Sequence, residues 1–247
     1  MPEFITWCIE HIEKDIVQDG IYRVAANQAT VHALRLDVDR GVERAKWKYG
    51  NEVHVVCGAL KVGIHRCCRL IIDSKLFFRE LPESLINPKT ETQYQQWTEL
   101  PNFDKVTLQN QVKKLLKHSI DESLKPTLKG TFGSKTQILI AFSALFDHFQ
   151  NVLAHSTANR MAAQNIAIVF GPTLIQAPGT VAPSYQSIMT HNNIIHTLID
   201  NYEQLKPFFL WKSEYLESAF PHTHTHRYNK PTSLIYSSFT IGAYLIF

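Results

Sequence analysis

The sequence of 247 residues lacks the features that mark several common classes of protein. It has no basic run with aromatic residues between the charges, and its formal net charge is only +3. A nucleic-acid-binding protein normally carries a basic stripe, so we expect no nucleic-acid partner. The four cysteines show no Cys-x-x-Cys spacing. We therefore expect reduced thiols, without disulfides or structural zinc.

Signals for secretion or membrane insertion are also missing. The chain begins Met1-Pro2-Glu3-Phe4 and continues into a helix pattern with acidic residues, unlike a signal or transit peptide. The uncharged, largely apolar stretch 233–247 has fifteen residues, where about twenty are needed to span a bilayer. We expect a cytoplasmic protein, with a membrane anchor in this tail as the minor alternative.

Alternation of apolar and polar residues, the mark of a β-strand, is absent as well, and helical spacing takes its place. From Phe4 to Ile12, apolar residues recur at three- and four-residue steps, and Gly20 follows as a residue suited to a left-handed turn. Pro82 ends a later helical region. The fold is predicted to be an all-α helical bundle. Further helices are predicted at about 28–40, 106–120, 138–153, 158–170 and 191–209, and the region 53–81 also has helical spacing.

Two local patterns resemble ligand sites but do not meet their requirements. Residues 130–136 hold two glycines and a Ser-Lys pair, whereas a phosphate-binding loop needs glycine directly before the lysine and four residues between its glycines. His222, His224 and His226 alternate in the tail, where a polar low-complexity segment explains them better than a metal site. We predict no cofactor or metal of the protein's own.

Three separated segments carry the functional information. They read GIYR at 20–23, KLFFRELP at 75–82 and NRMAAQNIAIVFGPTL at 159–174. In order and in wording they resemble the RhoGAP domain, the GTPase-activating domain for Rho-family small GTPases. The resemblance extends from about residue 2 to about residue 209, and it implies a helical bundle of the RhoGAP type.

The resemblance also implies roles for four residues. Arg23 aligns with the family's arginine finger, which enters the GTPase active site. A planar, permanently charged guanidinium suits the phosphoryl oxygens of the transition state for GTP hydrolysis, over which negative charge spreads. Lys75 matches a lysine that contacts the GTPase, and Arg79 matches an arginine that supports the finger loop. Asn165 matches an asparagine at the GTPase interface.

The implied partner is a Rho- or Rac-type small GTPase in its GTP-bound state. GTP and Mg²⁺ belong to the partner's site, so the chain would be an enzyme activator with no substrate of its own. It would meet the inner face of the plasma membrane only through that partner. Two alternatives stay open: a catalytically impaired RhoGAP-like scaffold that binds a GTPase, and an unrelated helical adaptor that binds peptides.

Two insertions interrupt the family pattern. Relatives run from GALK directly into LFFRELP, and from KPTLK into ALFDHF, whereas this chain has fourteen extra residues at about 62–75 and at about 130–143. We predict that 62–73 bulge out as a loop, because a continuous helix would displace Arg79 by about 21 Å. The abrupt borders also suggest introns retained in a gene model, a hypothesis that transcript sequencing across both junctions would test.

Three further predictions concern the motif lysine, the residues after Arg23 and the bounds of the domain. The first insertion leaves two candidates for the motif lysine, and we predict Lys75 over Lys61 because of its spacing to Arg79. Relatives usually have Ser-Gly where this chain has Ala25-Ala26, so a loop that needs positive φ there would be restricted and less active. The domain is predicted to cover 1–212, followed by a disordered tail at 213–247.

Overall fold

The computed structural model describes residues 3–43, 46–67, 86, 88, 90–121, 132–178 and 184–207. These residues form α-helices and no strand, apart from one isolated parallel bridge between Ile86 and Ile175. The predicted all-α fold is confirmed. The helices are α1 (Glu3–Lys14), α2 (Gln28–Asp39), α3 (Val53–Cys67), α4 (Glu91–Thr98), α5 (Lys105–Asp121), α6 (Phe132–Ala154), α7 (Ser156–Asn159), α8 (Ala163–Leu174) and α9 (Tyr185–Asp200).

The predicted apolar stripe of α1 lies in the core. Phe4, Ile5, Cys8 and Ile12 are buried, and α1 contacts α3 and α6. Each fully buried apolar side chain of this size contributes about 1.5–3 kcal/mol relative to exposure. This burial fixes the end of α1, and with it the start of the connection that carries Arg23.

Aromatic side chains of α6 fill the centre of the bundle. Phe142 and Phe146 stack with ring centroids 4.2 Å apart, and Phe146 also lies 5.5 Å from Tyr202. One turn further on, the Phe149 ring is 4.7 Å from that of Phe170 in α8. Offset and tilted aromatic pairs at these distances add to the stabilisation from burial. The aromatic cluster therefore joins α6 to α8.

The structure corrects the single helix predicted at 158–170. The chain leaves the helix after α7, because Arg160 adopts a left-handed backbone with φ 59° before α8 begins at Ala163. The proline of the third segment suggests a helix end at Pro172, but Pro172 lies inside α8 and does not end it. Proline removes only its own amide donor, and the helix continues to Leu174.

The first insertion begins as helix rather than as the predicted loop. Helix α3 continues without a break to Cys67, so the loop prediction is wrong for 62–67. The apolar stripe explains the continuation, since Leu60 and Ile64 are four residues apart and both are buried. Residues 68–75 lie outside the described residues. In the second insertion, α6 begins at Phe132, earlier than the predicted 138.

Other predictions fall on residues that the structure does not describe, among them Pro82, the alternate histidines and the tail 213–247. Within the described segments, no helix is long and apolar enough to cross a membrane. The same segments hold no group of three or more His, Cys, Asp or Glu side chains placed to bind a metal ion.

Helices α8 and α9 make the most extensive helix contact in the described fold. Their close approach depends on Gly171, which faces Asn192 of α9. A Cβ at position 171 would overlap the Asn192 side-chain amide and come within 2.9 Å of its backbone nitrogen. Backbone cannot move aside as a side-chain end can, so the two helices would have to separate.

We predict that Gly171→Ala lowers the free energy of unfolding by about 1–3 kcal/mol, the usual cost of overpacking. Gly41→Ala is the control for a Cβ added without overlap: nothing lies within 4 Å of that Cβ, and its cost is the backbone strain at φ 69°, about 1–2 kcal/mol. Urea denaturation of both variants measures the difference. A gain in stability for Gly171→Ala, as Gly→Ala gives inside a helix without a clash, would contradict the close α8–α9 contact.

Candidate functional site

Arg23 lies on the connection between α1 and α2, which we call the Arg23 loop (residues 15–26). Of the loop residues that precede Arg23, both Gly20 (φ 75°) and Tyr22 (φ 62°) have a left-handed backbone. Glycine adopts this conformation readily, whereas a tyrosine does so at a cost of about 1–2 kcal/mol. The strain at Tyr22 persists because its surroundings fix it, and these surroundings define the site.

The Tyr22 side chain is the buried anchor of the loop. It is 1% exposed, and its ring meets those of His148 and Phe170 edge-on. Its hydroxyl lies 2.6 Å from His148 Nε2, while His148 Nδ1 lies 2.9 Å from Glu13 Oε1. The Glu13 carboxylate accepts from Nδ1, and in the tautomer that carries its proton on Nδ1 the Nε2 atom accepts from the Tyr22 hydroxyl. The chain of hydrogen bonds thus ties Tyr22 to α6 and α1.

Electrostatics agree with this arrangement. The hydrogen bond from His148, together with one from Asn151 Nδ2 at 2.9 Å, lowers the pKa of Glu13 despite partial burial. Burial raises the pKa of the Tyr22 hydroxyl well above its usual value. Tyr22 therefore stays neutral and acts as a donor, and Glu13 stays ionised as the final acceptor.

Asn159 holds the same loop from the other side. Its side chain is fully buried, and Nδ2 donates to the carbonyls of Ile16 at 3.0 Å and Val152 at 2.9 Å. Its Oδ1 accepts from the Met161 amide at 2.9 Å, and its own carbonyl accepts from the Gly20 amide at 3.0 Å. These bonds fix the backbone of the Arg23 loop against the segment between α6 and α8.

Lys61 of α3 makes a third attachment. Its Nζ donates to the Tyr22 carbonyl at 3.3 Å, directly before the Arg23 amide. Burial lowers the pKa of the Lys61 ammonium, and burial raises the pKa of the neighbouring Cys57 thiol to about 12. Cys57 is thus a neutral thiol, and the Lys61 charge is directed at the loop backbone.

Arg23 itself is presented to solvent by this framework. Its amide donates to the carbonyls of Gly20 at 2.9 Å and Ile21 at 2.8 Å, so its backbone is part of a tight turn. The side chain is half exposed, and its Nη2 donates to Asp19 Oδ1 at 3.1 Å. The loop combines a fixed backbone with an accessible guanidinium, which is the form needed to reach an anionic group on another molecule.

A groove of about 270 Å³ lies beside the loop, between α2, α3 and the end of α8. Gly58 forms part of its floor, where an added Cβ would come within 2.8 Å of Val31. The groove is lined by Ala25, Ala26, Gln28, Val31, Gly58, Lys61, Val62 and Thr173.

The restriction of the loop backbone expected at Ala25 and Ala26 is not found, because the residues with positive φ are Gly20 and Tyr22 instead.

The structure places two of the four predicted site residues. Asn165 is half-buried in the first turn of α8, shortly after the Asn159 segment that contacts the Arg23 loop. Lys75 and Arg79 lie outside the described residues, so their roles stay predictions. Spacing to Arg79 favours Lys75 as the motif lysine, but Lys61 is the lysine seen at the loop.

Sequence reasoning did not identify the supports Asn159, His148 and Tyr22. The hydrogen bonds that these residues make across the fold join positions 126 to 143 residues apart in the sequence. No local sequence pattern reveals such pairs. For Asn159 one local signal exists, because asparagine favours chain reversals over helix interiors. It stands at the point where the predicted helix 158–170 is in fact interrupted.

The chain belongs to the RhoGAP domain family, whose model matches residues 2–179. It is 31% identical over 206 residues to Rho GTPase-activating protein 12 of Homo sapiens, which covers 81% of this chain and 19% of that protein. It is 28% identical over 211 residues to Rho GTPase-activating protein 15 of Gallus gallus, covering 83% and 37% respectively. The chain thus spans only about a fifth to two fifths of these relatives' length.

Solved structures agree with the family assignment. Human Rho GTPase activating protein 15 superposes with a TM-score of 0.59 at 29% identity, covering 83% of both chains. The BH domain from GRAF, the GTPase regulator associated with focal adhesion kinase, gives a TM-score of 0.54 over 83% of this chain and 93% of that chain. At 21% identity the second match supports the fold alone. The predicted RhoGAP-type bundle is confirmed.

The two asparagines of this region should differ in their effect on stability. We predict that Asn159→Ala lowers the free energy of unfolding by about 2–4 kcal/mol, because two carbonyls and one amide lose buried partners. Asn165→Ala, the matched control in the neighbouring helix, should change it by less than about 1 kcal/mol. Thermal and urea denaturation measure both variants. Equal losses would show that Asn159 does not hold the loop.

Proposed function

We propose that this chain is a GTPase activator that binds a GTP-loaded Rho- or Rac-type small GTPase and inserts Arg23 into its active site. The observation that carries the proposal is the half-exposed Arg23 guanidinium on a loop with a fixed backbone. Membership of the RhoGAP domain family supports the same activity. The names of the relatives point to Rho GTPases as the partner class.

The chemistry requires little of the activator beyond one well-placed cation. In GTP hydrolysis, charge develops on the oxygens of the transferred phosphoryl group, and an arginine supplied in trans stabilises it. Its planar fork can give two parallel hydrogen bonds to those oxygens, which a lysine cannot match. Because Tyr22, Lys61 and Asn159 already order the loop, little backbone entropy would be lost when Arg23 enters the partner's site.

GTP and Mg²⁺ would be held by the partner, so this chain would act as an activator without a substrate of its own. Asn165, half-buried in the first turn of α8, would contact the GTPase through the accessible part of its amide. Lys75 is proposed as a further GTPase contact and Arg79 as a support for the Arg23 loop. The complex would form in the cytoplasm, and any approach to a membrane would follow the partner.

Single-turnover GTP hydrolysis by a panel of Rho-type GTPases tests the proposal. The wild-type chain should accelerate hydrolysis by at least one member, and Arg23→Ala should remove about 10³-fold or more of the acceleration. Arg40→Ala, which also removes an exposed arginine, is the control and should keep it. Binding of the GTP-bound partner without acceleration would instead identify the impaired scaffold, and absence of both would favour the unrelated adaptor.

The contact between Lys61 and the Tyr22 carbonyl allows the two candidate lysines to be separated. We predict that Lys61→Ala lowers the maximal stimulated rate about tenfold, because the carbonyl before Arg23 loses its charged donor and the finger is less well placed. Lys75→Ala should weaken partner binding with little change in that maximal rate. Measuring the rate against activator concentration separates the two effects. A normal maximal rate for Lys61→Ala would remove Lys61 from the support of Arg23.

A further inference from the structure

Asp19 places one carboxylate between two arginines from distant parts of the chain. Its Oδ1 accepts from Arg23 Nη2 at 3.1 Å, and its Oδ2 lies 3.5 Å from Arg160 Nε. Asp19 is one residue before Gly20, whose amide bonds the Asn159 carbonyl. The carboxylate therefore stands where the Arg23 loop meets the segment leading into α8.

The backbone around Arg160 is as well fixed as that around Arg23. Arg160 has φ 59°, and its amide donates to the Ser156 carbonyl at 2.9 Å. Its neighbours Asn159 and Met161 are fully buried. A left-handed backbone at a non-glycine residue persists only where the surroundings require it. Here it directs the Arg160 side chain back towards Asp19, which is itself half exposed.

We propose that Asp19 is a positioning residue for Arg23, and that Arg160 holds Asp19 in place. This inference rests on the proposed function, since it concerns how the finger is oriented before it reaches the partner. Asp19 contacts only Nη2 of Arg23. The guanidinium has five N–H donors, so Nη1 and Nε stay available for phosphoryl oxygens while Asp19 keeps its own contact.

Charge explains why a second arginine accompanies the pair. The charges of Asp19 and Arg23 alone would cancel, so the loop would present no net positive charge to an approaching nucleotide. With Arg160 the cluster has two positive charges and one negative, which leaves a net charge of +1. Arg160 also restrains the carboxylate, because a second partner reduces the rotamers open to Asp19. Orientation is gained without loss of attraction for the phosphate.

The effect belongs to the rate and not to fold stability. Arg23 and Arg160 side chains are 51% and 69% exposed, and exposed ion pairs contribute little to stability. A small loss of alignment in a reacting complex has a larger effect on the rate. We therefore expect Asp19→Asn to lower the maximal stimulated rate by about three- to tenfold. Its affinity for the GTP-bound partner should stay within about twofold of the wild type.

Two measurements test the inference, with Asp15→Asn as the matched control. Asp15 is an exposed residue of the same loop, so its substitution makes the same change of charge four positions earlier. In the free protein, ¹⁵N–¹H NMR of arginine side chains should show restricted rotation of the Arg23 guanidinium, assigned with Arg23→Lys. That restriction should be lost in Asp19→Asn and weakened in Arg160→Ala, and kept in Asp15→Asn.

The second measurement is the single-turnover rate at saturating activator, with partner affinity measured separately. Asp19→Asn should lower the maximal rate, Asp19→Glu should restore part of it, and Asp15→Asn should not change it. Raising ionic strength should bring the wild-type maximal rate towards that of Asp19→Asn, because exposed ion pairs are screened. An unchanged or faster Asp19→Asn, or a loss of affinity alone, would overturn the inference.

The proposed function and this inference fail in different ways. If the wild-type chain accelerates no GTPase, the proposed function is wrong, and the NMR measurement still decides whether Asp19 orients Arg23. If the wild type accelerates hydrolysis and Arg23→Ala does not, the finger is correct. Asp19→Asn then decides the positioning role by itself, with an unfolding curve matching the wild type to show that the variant is folded.

Discussion

The buried side-chain amide of Asn159 is the interaction on which the rest of the site depends. Its hydrogen bonds to Ile16, Val152 and Met161 end one helix, allow the next to begin and hold the Arg23 loop from below. An amide that satisfies three buried backbone groups is costly to remove, since each would be left without a partner. The left-handed residues Tyr22 and Arg160 lie close to this contact along the chain, two residues after Gly20 and one after Asn159.

Periodicity was enough to predict the helical fold, because the apolar stripes are long and regular. The predicted helix at about 28–40 is observed as Gln28–Asp39, and the one at about 106–120 as Lys105–Asp121. Errors arose where a single side chain overrides local propensity, as Asn159 does. Helix α4 was missed because it is short, although Thr90 caps it by accepting from the Gln93 amide at 3.2 Å.

The sequence motif was enough to predict which residue is the centre of the site, but not which contacts hold that residue in place. GIYR identifies Arg23, but the residues that fix its loop come from α1, α3, α6 and the α7 segment, so their contacts depend on the tertiary fold. Lys61 illustrates the difficulty. Spacing alone favoured Lys75, and only the position of α3 beside the loop shows that Lys61 reaches the Tyr22 carbonyl. The continuation of α3 to Cys67 likewise follows from the burial of Ile64. The loop prediction for this segment was based on the distance to Arg79 and took no account of that burial.

The hydrogen bonds from Tyr22 through His148 to Glu13 have a further consequence for how the Arg23 loop opens. They connect the loop to the centre of the bundle, whereas most functional loops are among the least stable parts of a fold and open first. Here the loop cannot detach without exposing Tyr22 and leaving His148 Nε2 without its partner. Local opening of the loop would therefore cost the burial of the Tyr22 ring as well as these hydrogen bonds, so the loop should stay closed under conditions in which weakly held surface loops open.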